Sequence, residues 1–200
     1  MIKSKDDYEF FLEADRIALE IKYRHPRLVG DDVWKFERLL RKAEYIANCK
    51  RDIISRIYFK YICYRLYKQS LKLGFWVPMN VFGPGLSIAF YSGPIVVNYK
   101  STIGENCRLS QGVTIGGAAG LEHKGPTIGN NVFIGPGAVI IGDIEIADGI
   151  AIGANSFVNR SFKEVGITIA GVPARKVSDK HVDLVFPGTE IARNLKRKTK

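Results

Sequence analysis

Between Val97 and Val158 an aliphatic side chain returns at every sixth position: Val97, Ile103, Leu109 and Ile115, then Ile128, Ile134, Ile140, Ile146, Ile152 and Val158. The next residue is usually Gly, Ala or Asn. Four places on stands a small or apolar residue, among them Cys107, Val113, Ala119, Val132, Ala138, Ile144, Ile150 and Ser156. Neither the helical period of about 3.6 nor the strand period of about 2 generates this spacing. A chain that turns a corner every six residues and stacks three-sided coils does. The aliphatic residue then points into a narrow core, and Gly or Asn accommodates the corner. The phase breaks between Gly117 and Pro126, which marks a loop projecting from the stack. The expected fold is mainly β, a parallel β-helix joined to an α-helical N-terminal region.

That region occupies residues 1–73. A first helix starts near Ser4 and carries Phe10, Phe11, Ala14, Ile17, Ala18 and Ile21 at helical spacing. After a turn at His25-Pro26 and Gly30, Asp31 and Asp32 open a second helix with Trp34, Leu39, Leu40, Ala43 and Ile46. A third runs from about Asp52 to Gly74, with Ile54, Ile57, Tyr58, Tyr61, Tyr64 and Leu71 on one broad face. Pro78, Gly83, Pro84 and Gly85 lead into the coils, so the β-helix domain is set at 74–178 and a basic C-terminal tail, read as frayed, at 179–200. Three cysteines far apart suit a reducing compartment better than a disulfide framework, and their spacing is not that of a metal site. The charged opening MIKSKDDYEF lacks a secretory core, and no run of eighteen apolar residues occurs. A cytoplasmic protein is expected.

The net charge of +10 concentrates between Lys35 and Lys72 and in the tail. Its plain reading is a solvated helical face. Tyr58, Tyr61, Tyr64 and Tyr67 interleaved with Arg56, Lys60, Arg65 and Lys68 also fit peripheral contact with an anionic membrane or glycan. No nucleic-acid reader motif accompanies the charge, and no nucleic-acid partner is expected.

Four stretches carry a family resemblance. They are Asn80-Val81-Phe82-Gly83-Pro84-Gly85-Leu86-Ser87-Ile88-Ala89, Gln111-Gly112-Val113-Thr114-Ile115-Gly116-Gly117, Pro126-Thr127-Ile128-Gly129-Asn130-Asn131-Val132-Phe133-Ile134-Gly135 and Ala170-Gly171-Val172-Pro173-Ala174-Arg175. Through them the chain resembles the hexapeptide-repeat acyltransferases, and within these the serine acetyltransferase-like branch often encoded with surface-polysaccharide enzymes. The resemblance implies a left-handed coil and a homotrimer with acetyl-CoA in clefts between neighbouring prisms. By the same analogy Pro136 and Ala154 line the pantetheine slot, Asn159 and Arg160 run along the cofactor, and Arg175 and Lys176 meet its phosphates. Gly116 and Gly117 are expected to offer backbone groups to the thioester oxyanion.

Relatives use a histidine to take the proton of the acceptor hydroxyl, a task suited to an imidazole near neutral pH. Here that position holds Phe90 or Tyr91, and Ser110 stands at a second histidine position. His25 and His181 are read as surface residues. His123, in the loop that breaks the repeat and beside Lys124, is the remaining imidazole, so His123 and Tyr91 are the catalytic candidates. The expected activity is O-acetyl transfer from acetyl-CoA to a serine-like or sugar hydroxyl, the acceptor being a small molecule or glycan. The alternatives are a catalytically impaired trimer acting as a binding or scaffold protein, and an amino-sugar N-acyltransferase, whose amine acceptor needs less help from a base.

Overall fold

The chain is described from a computed structural model, over residues 1–89, 93–118, 124–180 and 184–198. Helix α1 (Lys5–Ala18) starts behind Ser4, whose Oγ accepts from Asp7 N at 3.0 Å and so satisfies one of the free N–H groups of the first turn. Helix α2 (Asp32–Cys49) packs between α1 and α3 (Ile53–Leu73). Asp52 caps α3 by accepting from Ser55 N at 2.8 Å, and Gly74, at φ +72°, supplies the left-handed residue that ends it.

The coils begin at once. Strands β1 (Phe75–Trp76), β2 (Ser87–Ile88), β3 (Ile95–Val97), β4 (Thr102–Ile103), β5 (Arg108–Leu109) and β6 (Thr114–Gly116) form the lower part. Strands β7 (Thr127–Ile128), β8 (Phe133–Ile134), β9 (Val139–Ile141), β10 (Glu145–Ile146), β11 (Ala151–Ile152) and β12 (Phe157–Val158) continue it. They fall in rotation onto three parallel sheets. The first is β1-β3-β6-β9-β12, the second β4-β7-β10, and the third contains β2, β5, β8 and β11. Single bridges from Phe82 to Ile103 and from Phe162 to Ile146 extend the second sheet at both ends. On the third sheet β13 (Thr168–Gly171) pairs in parallel with β11, and β14 (Ala174–Ser178) folds back antiparallel on β13 to close the stack.

All ten residues of the six-fold series are buried at 2% exposure or less. At the corners Asn106, Asn131 and Asn155 take φ of 52°, 55° and 53°, the left-handed conformation that Asn tolerates better than most residues. Register makes the hexad intelligible: Leu109 stacks on Ile88 and Ile134, and Ile140 on Ile115 and Val158.

One expectation needs correction. The C-terminal stretch is not frayed over 188–198: it forms helix α4 (Gly188–Lys198) lying on α1, with Ala192 buried against Ala14 and Ile17. Its start is tied to the β-helix where Thr189 N donates to Asn106 Oδ1 at 3.0 Å and Arg193 pairs with Glu105 at 2.6 Å. Spacing explains this, since Thr189 and Ala192 share one face of a largely polar helix and Ile191 packs beside them. On α3 the face carrying Ile54, Ile57, Tyr58, Tyr61, Tyr64 and Leu71 is exposed, and among its described residues the helix buries Ile62 and Leu73.

Candidate active site

The helices are fastened to the first coils by buried charge. Asp15, Glu37, Arg41 and Glu44 are each 1% exposed or less. Arg41 donates to Asp15 at 2.7 Å, to Glu44 at 3.0 Å, and to the carbonyls of Phe82 and Gly83 at 3.0 and 2.6 Å. Asp15 accepts in addition from Gly85 N and Leu86 N, and Glu44 from Asn80 N. Glu37 Oε1 accepts from Ile88 N at 3.3 Å, while its Oε2 has no partner among the described residues. Burial, with Asp15 nearby, pushes the Glu37 carboxyl well above its ordinary value. Four buried groups thus hold the backbone of residues 80–88 up to the strand that leads into Phe90 and Tyr91. Sequence reading missed them because charge suggests exposure. Their spacing was the available signal, since Glu37, Arg41 and Glu44 fall on the same helical face as buried Leu40.

Beyond β2, two edges of the prism gather the candidate residues. The edge between the third and first sheets carries the turns Ser110-Gln111-Gly112, Gly135-Pro136-Gly137 and Gly153-Ala154-Asn155. These stack directly, with Gly137 N donating to Gln111 O at 2.9 Å and Asn155 N to Pro136 O at 2.8 Å. Gly137 has φ +69°, and a Cβ there would lie 2.2 Å from Asn155 Oδ1, so position 137 favours glycine. Pro136 and Ala154 therefore share one bare-backboned edge. Ala89 and Gly93 sit on the same column: Ala89 N donates to Leu109 O at 2.9 Å, and a Cβ on Gly93 would touch Gln111 Cβ at 3.2 Å. Phe90 and Tyr91 themselves lie outside the described residues. Ser110 is 4% exposed, and Gln111 Oε1 is buried with no partner among the described residues.

The edge between the first and second sheets carries Asn98-Tyr99-Lys100, the loop opening at Gly117, Gly142-Asp143 and Asn159-Arg160. His123 lies outside the described residues, as does His181. The far end of the loop is pinned: Lys124 Nζ pairs with Asp143, and Gly125 packs so closely on Ser101 that a Cβ would come 2.8 Å from its N. Lys124 thus faces a carboxylate on its own chain. The Gly116 carbonyl accepts from Gly142 N at 3.1 Å and belongs to the ladder, which leaves the Gly117 turn as the less committed backbone.

Arg160 joins this edge to the closing hairpin, donating to Ala174 O at 3.3 Å with its guanidinium 5.2 Å from the Phe162 ring. There Arg175 is exposed, whereas Lys176 is gripped by Asp179 and Glu164, which hold its ammonium above the ordinary lysine value. Between the two edges lies the outer face of the first sheet. Its register stacks Trp76, Val96, Thr114, Val139 and Phe157 in one outward ladder, largely apolar. Among the described residues no group of three or more His, Cys, Asp or Glu side chains is placed to hold a metal ion.

Residues 125–160 match the bacterial transferase hexapeptide (six repeats) family. The serine acetyltransferase of Staphylococcus aureus strain Mu50 is 40% identical over 184 residues, covering 88% of this chain and 78% of that protein. That of Synechococcus elongatus is 37% identical over 98 residues, a match spanning 48% of this chain and only 38% of its own length. Among solved structures, the Neisseria gonorrhoeae serine acetyltransferase superposes with a TM-score of 0.69 at 25% identity, covering 94% of this chain and 72% of that one. A serine acetyltransferase in complex with CoA gives 0.64 at 25% identity, over 86% and 71%.

Proposed function

The chain belongs to the serine acetyltransferase family of hexapeptide-repeat transferases, and we propose that it transfers the acetyl group of acetyl-CoA to the hydroxyl of a serine-like or sugar acceptor. The observation that carries this reading is the placement of the candidate residues on two separate edges of one prism. Pro136 and Ala154 lie on one edge; Gly117, Asn159 and Arg160 lie on the other, with the whole width of the first sheet between them. Neither edge alone encloses a ligand. In a homotrimer of left-handed coils with the first sheet facing the threefold axis, the first edge of each copy meets the second edge of its neighbour. Three clefts result. Each has bare turns for a pantetheine arm, and Arg175 stands at the exit for a phosphate, free of the carboxylates that occupy Lys176.

In this scheme the acceptor hydroxyl gives its proton to His123 as its oxygen attacks the thioester carbon. The tetrahedral oxyanion is steadied by backbone N–H at Gly117. Collapse breaks the C–S bond, and the CoA thiolate takes the proton back from the imidazolium. Phe90 or Tyr91 stands where relatives place their histidine, and Tyr91 would orient the acceptor. Thiol release from acetyl-CoA is the test, first with L-serine and then with a panel of sugars. Release above the no-acceptor background is expected, and His123→Ala should lower turnover about 10²–10⁴-fold with acetyl-CoA affinity kept. Full activity in that variant would remove His123 from the scheme. Binding of acetyl-CoA with no transfer to any acceptor would leave a trimeric binding protein instead.

A further inference from the structure

The outward side of α3 is a surface that this function leaves unused. The helical turn sets Ile53, Ile57, Tyr64 and Leu71 in one stripe directly opposite buried Ile62 and Leu73. Ile54 and Tyr61 flank it. Ile54 is 81% exposed, Ile53 74% and Ile57 67%, a contiguous run of large aliphatic side chains in water. Beside them Arg56, Lys60, Arg65 and Lys68 are exposed, and α3 contains no acidic residue at all. Of its five cations only Lys72 meets a carboxylate among the described residues, that of Asp32. Arg65 lies 5.8 Å from the Tyr61 ring and Lys68 6.0 Å from that of Tyr64, so cationic heads border the apolar stripe.

From this geometry we propose that residues 53–68 of α3 form a docking surface for an anionic lipid bilayer. Charge decides between occupants. A second copy of the same helix would bring cation against cation, whereas anionic headgroups neutralise Arg56, Lys60, Arg65 and Lys68 together. A soluble polyanion would satisfy the cations but leave the isoleucines in water; a bilayer takes both. Ile53, Ile54 and Ile57 enter the acyl boundary, Tyr61 and Tyr64 sit at headgroup level, and the lysine stems extend their ammonium groups outward. The last turn of α3, with Leu71 lining one depression with Trp76 and Tyr99, adjoins the outer face of the first sheet, which the proposed trimer places between copies.

The test is sedimentation of the full-length chain with vesicles of phosphatidylcholine alone, or of three parts phosphatidylcholine to one part phosphatidylglycerol. Binding is expected only to the anionic vesicles, weaker in about 0.5 M salt than in about 0.1 M. Lys60→Glu with Lys68→Glu should weaken partitioning by about 20-fold or more, at roughly fivefold for each charge lost. Ile57→Glu with Tyr64→Glu should abolish it, with oligomeric state and circular dichroism unchanged. No binding to either vesicle overturns the proposal. So does loss of oligomerisation in the Ile57→Glu, Tyr64→Glu variant, which would make the face a contact between copies. Sensitivity to the charge reversals alone would make the partner a soluble polyanion and would also overturn it. None of these readouts depends on acetyl transfer.

Discussion

Arg41 spends its guanidinium on two buried carboxylates and on the backbone carbonyls of Phe82 and half-buried Gly83, so its removal strands buried charge. Burying a charge is tolerable only while its partners remain, and removing one member of such a set costs about 3–5 kcal/mol. Arg41→Ala should lower stability in urea by that amount; a loss below about 1 kcal/mol would show that water or a local shift replaces it. Glu37 behaves differently, because its folded carboxyl titrates well above the ordinary 4.5. A carboxyl raised in this way binds its proton more tightly in the folded state. Its contribution is complete below pH 4.5 and drains away as pH rises toward the folded value. Glu37→Gln keeps an acceptor for Ile88 N–H and carries nothing to ionise. As pH rises above about 5 the wild-type urea midpoint should therefore fall relative to the Gln variant. Parallel profiles would mean that Glu37 does not titrate in that range.

At the level of elements, what was legible followed from periodicity and what was missed followed from tertiary context. The coils were readable because each hexad repeats one local arrangement, an inward aliphatic residue and a corner of Gly or Asn, which Asn106, Asn131 and Asn155 occupy in the left-handed conformation. The three N-terminal helices announced themselves through caps at Ser4 and Asp52 and the stop at Gly74. Which face of α3 is buried was not readable, since apolar residues stand all round the helix and only α2 selects Ile62. On the candidate site, the two edges follow from the strand rotation, while the role of Glu37 and its neighbours depends on packing of α1 and α2 against coils far along the chain. The docking of α4 is a similar case, because its polar composition hides a narrow contact. Gly188 lies where a Cβ would come 2.4 Å from Ala14 O and 3.0 Å from Ala18 Cβ. Gly188→Ala should push α4 off α1 at a cost of about 1–3 kcal/mol and expose Arg193 and Arg197 to trypsin. Unchanged cleavage would show that α1 yields instead.

For the molecule as a whole, the prism is too slender to be self-sufficient, and its three faces are unequal in the way a threefold assembly needs. The second sheet presents Thr102, Thr127 and Glu145 outward, a polar face with its ladder fully exposed. The first sheet presents Trp76, Val96, Val139, Ile141 and Phe157, of which Val96 and Trp76 are exposed and the others half-buried. Placing that face on the threefold axis removes three such ladders from water, and at about 25 cal/mol per Å² even a few hundred Å² from each copy is a substantial driving force. In the proposed trimer the same packing would bring the Pro136 edge of one copy to the Asn159 edge of the next, so that assembly and site formation would be one event. Val139→Asp with Phe157→Asp tests this, because both side chains point outward and neither belongs to the prism's own core. The double variant should sediment as a monomer with its β-helix dichroism kept, and should lose acetyl-CoA binding along with the trimer. A monomer that still binds acetyl-CoA would place the whole cofactor site on a single chain, and a trimer that persists would place the axis against the third sheet.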